Sequence, residues 1–286
     1  MTVRPVLTAI ATVGPLLASG CPAPTPGDIT GTIETRTLSS QHVGDDYVLS
    51  VRVPPGYDAA GAHPVVFQLD PHLGILREFE LTASYASELE AEGLIEPTIV
   101  LGIGYTEALG PVEGRMRDYT IPDTNGDTLG LGSGGAPAFY AFLLDELTPW
   151  VEETYAVGGP QDRALFGHSL GGLFAMYAAL QHDPAAPFVG RFVVASPSFW
   201  YDSGSIFQIE AEYAEHAEDL ELDLFMADGL YEGPEMTVYT DAMAERLAER
   251  EHPSLTLTVE RYEVDHVRSV EPCFHEGLAY HLGGTQ

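Results

Sequence analysis

The sequence contains no lysine, so its only cations are 12 arginines, set against 43 aspartates and glutamates. The formal net charge at pH 7 is −31. Proteins that bind nucleic acid or anionic membrane surfaces use an excess of cationic side chains to neutralise phosphate groups. The composition therefore argues against nucleic acid as a partner and predicts a solvated acidic surface of the kind suited to a saline habitat.

Cysteine is almost absent, with Cys21 and Cys273 the two in the chain. An intramolecular disulfide would have to join these two, although Cys21 lies beside a proline-rich segment. Zinc sites built on thiolates need several cysteines or histidines at short spacings. We therefore predict no structural disulfide and no thiolate zinc site.

The first 21 residues carry a single charge, Arg4, and an apolar stretch that is short and broken at residues 14–15. This pattern is too short for a confident membrane-spanning helix and is typical of a targeting segment. The residues at 17–21, Leu-Ala-Ser-Gly-Cys, resemble the lipobox of bacterial lipoproteins, which implies cleavage before Cys21 and lipidation of its thiol. The alternative is an ordinary signal peptide in which Cys21 is incidental. Both interpretations predict export, and the first predicts a membrane-anchored lipoprotein facing the periplasm or the exterior.

A proline-rich linker at residues 22–29 follows, and residues 30–286 have the composition of one globular domain. Apolar runs alternate in this part with helical patterns of apolar spacing. Strands are predicted at 30–40, 46–53, 64–69, 97–103, directly before Ser169, at 191–195, 222–226 and 255–262, and helices at 79–92, 139–151, from Ser169 onward, at 203–217 and 234–251. The alternation predicts an α/β fold of the α/β-hydrolase type, with a largely parallel sheet covered by helices on both faces. Residues 104–135 show little periodicity and are predicted to be a long irregular stretch.

The most informative motif is Gly167-His168-Ser169-Leu170-Gly171, which joins a short apolar strand to a helical pattern. This G-x-S-x-G order is the nucleophile elbow of α/β-hydrolases, in which a strained turn exposes the serine at the tip of a strand. Glycines two residues before and after the serine let the strand and helix approach closely. We therefore predict Ser169 as a nucleophile.

A serine hydroxyl needs a histidine base and an acid that orients the base, and in this fold they follow in the order serine, acid, histidine. The base belongs in the loop after the last strand. Of the ten histidines, His266 alone stands there, directly after the strand predicted at 255–262. His266 is therefore the predicted base.

The acid is expected just after the strand predicted at 222–226, where Asp228, Glu232 and Glu235 are all available. Order and spacing do not separate the three. Asp265 is adjacent to His266, but neighbours along a chain rarely orient each other's side chains.

At this point the chain resembles a known family, the esterase D-type branch of the α/β-hydrolases. The branch includes enterobactin-type siderophore esterases, S-formylglutathione hydrolases, feruloyl and acetyl-xylan esterases and mycolyltransferases. The motifs that carry the resemblance are Phe67-Gln68-Leu69-Asp70, Arg117-Asp118-Tyr119-Thr120-Ile121-Pro122, Gly167-His168-Ser169-Leu170-Gly171-Gly172-Leu173, Ser196-Pro197-Ser198-Phe199-Trp200 and Asp265-His266. They are most similar to the siderophore-esterase subgroup.

The resemblance implies roles that spacing alone does not give. It places the triad acid at Glu232, with Asp228 as the alternative, and it suggests Trp200 as a lining of an acyl or aryl pocket. Arg117 is a candidate for holding an anionic or carbonyl-rich substrate, although an exposed loop arginine would look the same.

One residue departs from the family pattern, because Pro71 stands where a glycine usually follows the aspartate at the end of the third strand. Proline has no N–H, so the predicted oxyanion donors are the amides of Leu170 and His72.

The acidic segment Asp123-Thr124-Asn125-Gly126-Asp127 invites a calcium interpretation but lacks the glycine and the bidentate glutamate of an EF-hand loop. We predict a turn there, no metal site and no cofactor. The sequence as a whole predicts an exported serine esterase that acts on a small-molecule ester. An acyltransferase with the same catalytic residues and a non-catalytic surface-binding lipoprotein are the alternatives.

Overall fold

A computed structural model of the protein describes residues 25–74, 76–122, 132–217 and 219–283. The predicted targeting segment with Cys21, the start of the linker and the acidic segment at 123–127 lie outside these residues. Within the described part of the chain, no helix is both long and apolar enough to cross a membrane. Cys273 is a buried free thiol.

Eight strands form one sheet in the order β1-β2-β4-β3-β5-β6-β7-β8. The strands are β1 (Thr32–Ser39), β2 (Asp46–Val53), β3 (Val65–Leu69), β4 (Ile99–Tyr105), β5 (Arg163–His168), β6 (Arg191–Ala195), β7 (Asp223–Gly229) and β8 (Thr256–Tyr262). β2 pairs antiparallel with both β1 and β4, and every pair from β4 through β8 is parallel. The predicted α/β class with a mostly parallel sheet is confirmed.

Eight helices accompany the sheet in the described residues: α1 (Glu78–Ala91), α2 (Pro111–Asp118), α3 (Ala136–Phe142), α4 (Thr148–Thr154), α5 (Leu170–Ala179), α6 (Ile206–His216), α7 (Pro234–Arg250) and α8 (Val270–Leu282). A π-helical turn, Leu143–Leu147, joins α3 to α4 without a break. α1 and α8 pack on one face of the sheet, and α3, α5, α6 and α7 contribute to the core on the other. All five residues of β3 are buried, as expected of a parallel strand that is covered on both faces.

Helix α2 corrects the expectation that residues 104–135 are irregular throughout. Its sequence has no apolar stripe and two of its eight residues are buried, Gly114 and Asp118. A Cβ at Gly114 would lie 2.4 Å from the Tyr105 ring, so the helix backbone packs directly on β4. Tertiary contact, which apolar periodicity does not register, therefore stabilises this helix.

His281 in α8 is buried and gives the fold a specific acid sensitivity. Its Nε2 lies 3.0 Å from the Phe192 carbonyl oxygen, and burial lowers the pKa of the ring from 6.5 to about 4. Between these two pH values the unfolded chain binds a proton that the folded chain does not. The contribution of the neutral His281 to the free energy of unfolding is therefore fully present above pH 6.5 and is lost as the pH falls toward 4. The loss is at most about 3 kcal/mol.

His281→Gln, whose amide can donate to the same carbonyl without titrating, should make the free energy of urea unfolding depend less on pH across this window. An equal slope in both proteins would contradict the assignment.

Candidate active site

Three neighbouring strands, β3, β5 and β6, are each followed by a non-glycine residue with a positive φ. These residues are Asp70 at 51°, Ser169 at 60° and Ser196 at 41°. Such conformations are strained for L-residues and persist where surrounding contacts hold them, most often at functional sites. Here the holding contacts include the Ser169 amide, which donates to the Ala195 carbonyl at 3.0 Å, and the Ser196 amide, which donates to the Ala227 carbonyl at 2.7 Å.

The turn at Ser169 is closely packed at Gly167, as the elbow motif predicts, and at Gly172 rather than Gly171, where a Cβ would lie 3.3 Å from Asp70 Oδ2. A Cβ at Gly167 would lie 2.1 Å from the Gly171 carbonyl oxygen, and a Cβ at Gly172 would lie 2.7 Å from the Ala195 carbonyl oxygen. No side chain fits at either position without moving backbone. The close approach of β5 to α5 therefore depends on glycine, and it leaves Ser169 at the N-terminus of α5.

Glu232 lies in the loop between β7 and α7 with its carboxylate fully buried. Its Oε1 accepts hydrogen bonds from the Ser196 hydroxyl at 2.5 Å and the Gly229 amide at 2.6 Å. Its Oε2 lies 2.8 Å from His266 Nδ1. Burial alone would raise the pKa of this carboxyl, but the hydrogen bonds from His266, Ser196 and Gly229 outweigh it and hold the pKa below its ordinary value. Glu232 is therefore an ionised acceptor at neutral pH.

The loop that carries His266 is fastened to the Glu232 loop by backbone pairing beyond the strand ends. The Leu230 amide donates to the Tyr262 carbonyl at 2.7 Å, and the Tyr231 amide donates to the Val264 carbonyl at 3.1 Å. The Asp265 side chain accepts hydrogen bonds from the amides of Val267 and Arg268 and closes the turn that carries His266. This pairing brings the two loops together, so that the Glu232 carboxylate contacts the His266 ring at Nδ1 rather than at Nε2.

Among the described residues, the Ser169 hydroxyl has one hydrogen-bond partner, the Ser198 hydroxyl at 3.4 Å. No hydrogen bond joins the Ser169 hydroxyl to His266 in the described part of the chain. Catalytic hydrogen bonds are often long before substrate binds and shorten in the complex. The roles of Ser169 and His266 stay predictions.

The two predicted oxyanion donors lie on adjacent strand ends. Leu170 is the first residue of α5, and His72 follows Pro71 after β3. Within the described part of the chain, neither amide donates to another protein group, as a pair of donors reserved for a substrate oxygen would require. The His72 side chain is half-exposed, with Nε2 2.9 Å from the Ser50 hydroxyl.

The other two acids considered for the triad have different surroundings. Asp228 is buried in a bidentate ion pair with Arg261, at 2.5 Å and 2.9 Å. Glu235 is exposed in the first turn of α7. Glu232 is thus the one of the three that contacts His266.

The two residues suggested for substrate binding differ in how free they are. The Arg117 guanidinium is already held by Asp118, Asp45 and the Tyr47 hydroxyl. Trp200 follows Ser198 closely in the chain and is 41% exposed, with its indole N–H directed at the Met236 sulfur at 3.2 Å. The substrate-binding role of Arg117 stays a prediction, and its guanidinium is already paired within the protein. The exposed Trp200 ring can still contact a substrate, and its role also stays a prediction.

Sequence reasoning missed the buried ion pair between Asp70 and Arg115. Arg115 on α2 holds both carboxylate oxygens of Asp70, with its terminal nitrogen 2.9 Å from Oδ2. Asp70 directly precedes Pro71 and His72, and its amide donates to the Tyr119 hydroxyl at 3.1 Å. The pair therefore anchors the loop that carries one predicted oxyanion donor.

Replacing Arg115 by methionine should destabilise the protein by about 3–5 kcal/mol, because it leaves the Asp70 carboxylate buried without its partner. Arg77→Met is the matched control, since Arg77 is 54% exposed and its contact with Glu80 is 3.6 Å. It should change stability by less than about 1 kcal/mol. Urea unfolding measures both, and equal effects would show that the Asp70 pair has no special weight.

The sequence is similar to a known protein family and to several of its members. The sequence model of the family described as "Putative esterase" matches residues 40–222. The ferri-bacillibactin esterase BesA of Bacillus subtilis is 28% identical over 176 residues, which cover 59% of this chain and 59% of the relative. The siderophore triacetylfusarinine C esterase of Aspergillus fumigatus is 24% identical over 164 residues, 56% of this chain and 54% of the relative. The matches span less than two thirds of the length of these relatives.

Solved structures match over more of the chain. The BES protein of Bacillus cereus has a TM-score of 0.75 at 24% identity, covering 93% of this chain and 100% of that one. The siderophore hydrolase EstA of Aspergillus nidulans has a TM-score of 0.71 at 22% identity, covering 88% and 94%. At these identities the likeness shows the fold, and it agrees with the sheet described above.

Proposed function

This chain belongs to the putative-esterase family, and from that membership and the site geometry we propose that it is a serine esterase. It hydrolyses carboxylic esters through an acyl-enzyme on Ser169. His266 is the general base, Glu232 orients it, and the amides of Leu170 and His72 bind the oxyanion. No cofactor takes part in this reaction.

The proposed reaction has two halves. The Ser169 oxygen attacks the ester carbonyl carbon while its proton passes to His266 Nε2, and the carbonyl oxygen becomes an oxyanion. Collapse of this intermediate breaks the carbon–oxygen bond to the alcohol, which leaves with the proton from His266. Water then attacks the acyl-enzyme by the same route, releasing the acid and restoring the serine. The positive end of α5 favours negative charge beside Ser169 in both halves.

The observation that carries the proposal is the 2.8 Å contact between Glu232 Oε2 and His266 Nδ1. A buried, ionised carboxylate on Nδ1 fixes the tautomer in which Nε2 can accept the serine proton. The contact joins the ends of β7 and β8, close to the elbow after β5. The strand order thus supports one reaction centre rather than three unrelated polar groups.

We propose that the substrate is a siderophore-type, aryl or acyl ester. The relatives named above as siderophore esterases support this class. Exposed apolar side chains flank the site as well: Trp200 is 41% exposed, while Leu230 and Tyr231, next to Glu232, are 49% and 64% exposed. Such side chains suit contact with an aryl or acyl group.

A panel of siderophore, aryl and short acyl esters tests the substrate class, with free acid measured as the product. Repeating the assay with an added alcohol separates hydrolysis from acyl transfer. A hydrolase keeps releasing free acid, whereas an acyltransferase diverts the acyl group to the alcohol. Turnover of none of the esters would overturn the proposed activity.

We also propose export and lipid anchoring through Cys21. In the native host, Cys21→Ala should move the protein from the membrane fraction to the soluble fraction. An unchanged distribution would reject the lipid anchor and leave an ordinary signal peptide as the alternative.

A further inference from the structure

Two buried polar groups behind the elbow face each other without hydrogen-bond partners. Glu78, the first residue of α1, and His168, the residue before Ser169, have side chains that are 0% and 1% exposed. Both Glu78 carboxyl oxygens and His168 Nδ1 lack a hydrogen bond among the described residues. Glu78 Oε1 lies 3.6 Å from His168 Nδ1, just beyond hydrogen-bond length. Leaving three such atoms unpaired would be costly, so an interaction between the two groups is expected.

The other nitrogen of the His168 ring is fully used. His168 Nε2 lies 2.9 Å from the backbone carbonyl oxygen of His266 and 3.2 Å from the Ser269 hydroxyl. A carbonyl oxygen only accepts hydrogen bonds, so a ring nitrogen 2.9 Å from it has to be the donor. His168 Nε2 must therefore carry a proton. In a neutral ring Nδ1 is then an acceptor that needs a donor.

Glu78 can supply that donor if its carboxyl group is protonated. An ionised Glu78 carboxylate would have no hydrogen bond among the described residues. It would also lie near the Asp70 carboxylate, and Arg115, the neighbouring cation, is already paired with Asp70. Burial, and then the Asp70 charge, raise the pKa of Glu78 well above its ordinary value, with Arg115 acting in the opposite direction. Burial, and then the nearby His266, lower the pKa of His168. A neutral acid that donates to a neutral imidazole pairs one Glu78 oxygen with His168 Nδ1 and leaves no charge buried at either group.

We propose that Glu78 and His168 are positioning residues for the base: Glu78, as a neutral carboxylic acid, donates to His168 Nδ1, and His168 donates from Nε2 to the His266 carbonyl. The hydrogen bond fixes the His168 tautomer and holds the backbone of His266 so that its ring stays on Glu232. The His168 and His266 rings are in contact, with centroids 4.7 Å apart and planes 34° apart, which limits how far the base can turn. This inference rests on the proposed esterase function for its kinetic test alone.

Glutamine at position 78 keeps the shape of the protonated acid and can donate an N–H, whereas leucine cannot donate. Glu78→Leu should lower kcat by about tenfold to a hundredfold with little change in KM, since small displacements of catalytic groups carry such costs. Glu78→Gln should retain most of kcat. His168→Phe removes the donor to the His266 carbonyl and should resemble Glu78→Leu. The kcat of the double variant Glu78→Leu with His168→Phe should be little lower than that of either single variant, because both changes act through the same pair of consecutive hydrogen bonds to His266.

The pH profile of kcat distinguishes positioning from a general loss of stability. Among the residues that the structure describes, the titratable groups in contact with the His266 ring are Glu232 and His168. A ring held less firmly on the Glu232 carboxylate is a weaker base. The acid limb of the profile should therefore move to lower pH in Glu78→Leu and stay in place in Glu78→Gln. Equal rates and equal profiles for the two variants would overturn the proposal.

Spectroscopy tests the protonation states without any activity, so failure here is separable from failure of the esterase proposal. Ring nitrogen shifts of His168 in labelled protein at neutral pH should report the neutral tautomer protonated at Nε2. The infrared difference between wild type and Glu78→Gln should contain the carbonyl stretch of a protonated carboxylic acid. An imidazolium signal for His168, or a carboxylate signal for Glu78, would overturn the proposal even if esters are hydrolysed.

Discussion

Replacing Ser169 by alanine is expected to lower kcat for ester hydrolysis by roughly 10⁵- to 10⁶-fold, as removal of a triad nucleophile does elsewhere. In the proposed mechanism the acyl-enzyme forms on Ser169, whereas the proposed contacts of Leu170, His72 and the exposed apolar side chains with the ester are kept in the variant. KM should therefore change little. Steady-state rates with the best ester of the panel measure both constants.

Ser198→Ala is the matched control for this prediction. Its hydroxyl lies 3.4 Å from that of Ser169 and is the one other serine hydroxyl in contact with it among the described residues. Loss of one neutral hydrogen bond should cost at most about tenfold. If Ser198→Ala were the inactive variant and Ser169→Ala the active one, the nucleophile would have been assigned to the wrong serine.

Glu232→Gln is expected to lower kcat by about 10⁴-fold, because the amide favours the wrong tautomer of the base. Glutamine presents an N–H or a neutral carbonyl to His266 Nδ1 in place of an ionised oxygen. It also gives a weaker acceptor to the Ser196 hydroxyl and the Gly229 amide, which now share Oε1. The loss should fall on kcat and on kcat/KM equally, as measured by steady-state kinetics.

Asp228→Asn tests the alternative acid and serves as the control. Asp228 is paired with Arg261, which is itself partly exposed and also contacts Asp241. The substitution should therefore cost about 1–3 kcal/mol of stability while kcat stays close to that of the wild type. The reverse pattern, an inactive Asp228→Asn and an active Glu232→Gln, would make Asp228 the acid.

The contrast between Asp228 and Glu232 shows which parts of the candidate site could be predicted from the sequence and which could not. Ser169 and His266 follow from local order, because an elbow motif and the loop after the last strand are recognisable along the chain. Asp228 lies near the end of β7 and Glu232 in the short loop that follows it, and the two differ through their non-local partners. Arg261 on β8 forms an ion pair with Asp228. The backbone hydrogen bonds to Tyr262 and Val264 bring Glu232 within hydrogen-bond distance of His266. Neither contact follows from residue spacing.

The same reason accounts for the groups that sequence reasoning missed. Helix α2 has no apolar stripe to reveal it, and Arg115, which it carries, becomes informative once Asp70 is known to lie opposite. The Ser196-Pro197-Ser198 segment marked the family resemblance, but its roles depend on strand order. Because β6 lies between β5 and β7, the end of β6 can reach both Ser169 and Glu232.

Labelling with a fluorophosphonate probe, followed by identification of the modified residue by mass spectrometry, tests the central claim most directly. The probe reacts with a serine activated by a base and stabilised in an oxyanion site, and it does not depend on knowing the natural ester. The account predicts one adduct on Ser169 of the folded protein, absent in Ser169→Ala and strongly slowed in Glu232→Gln. Failure of the folded wild type to react, or an adduct on a different serine, would contradict it.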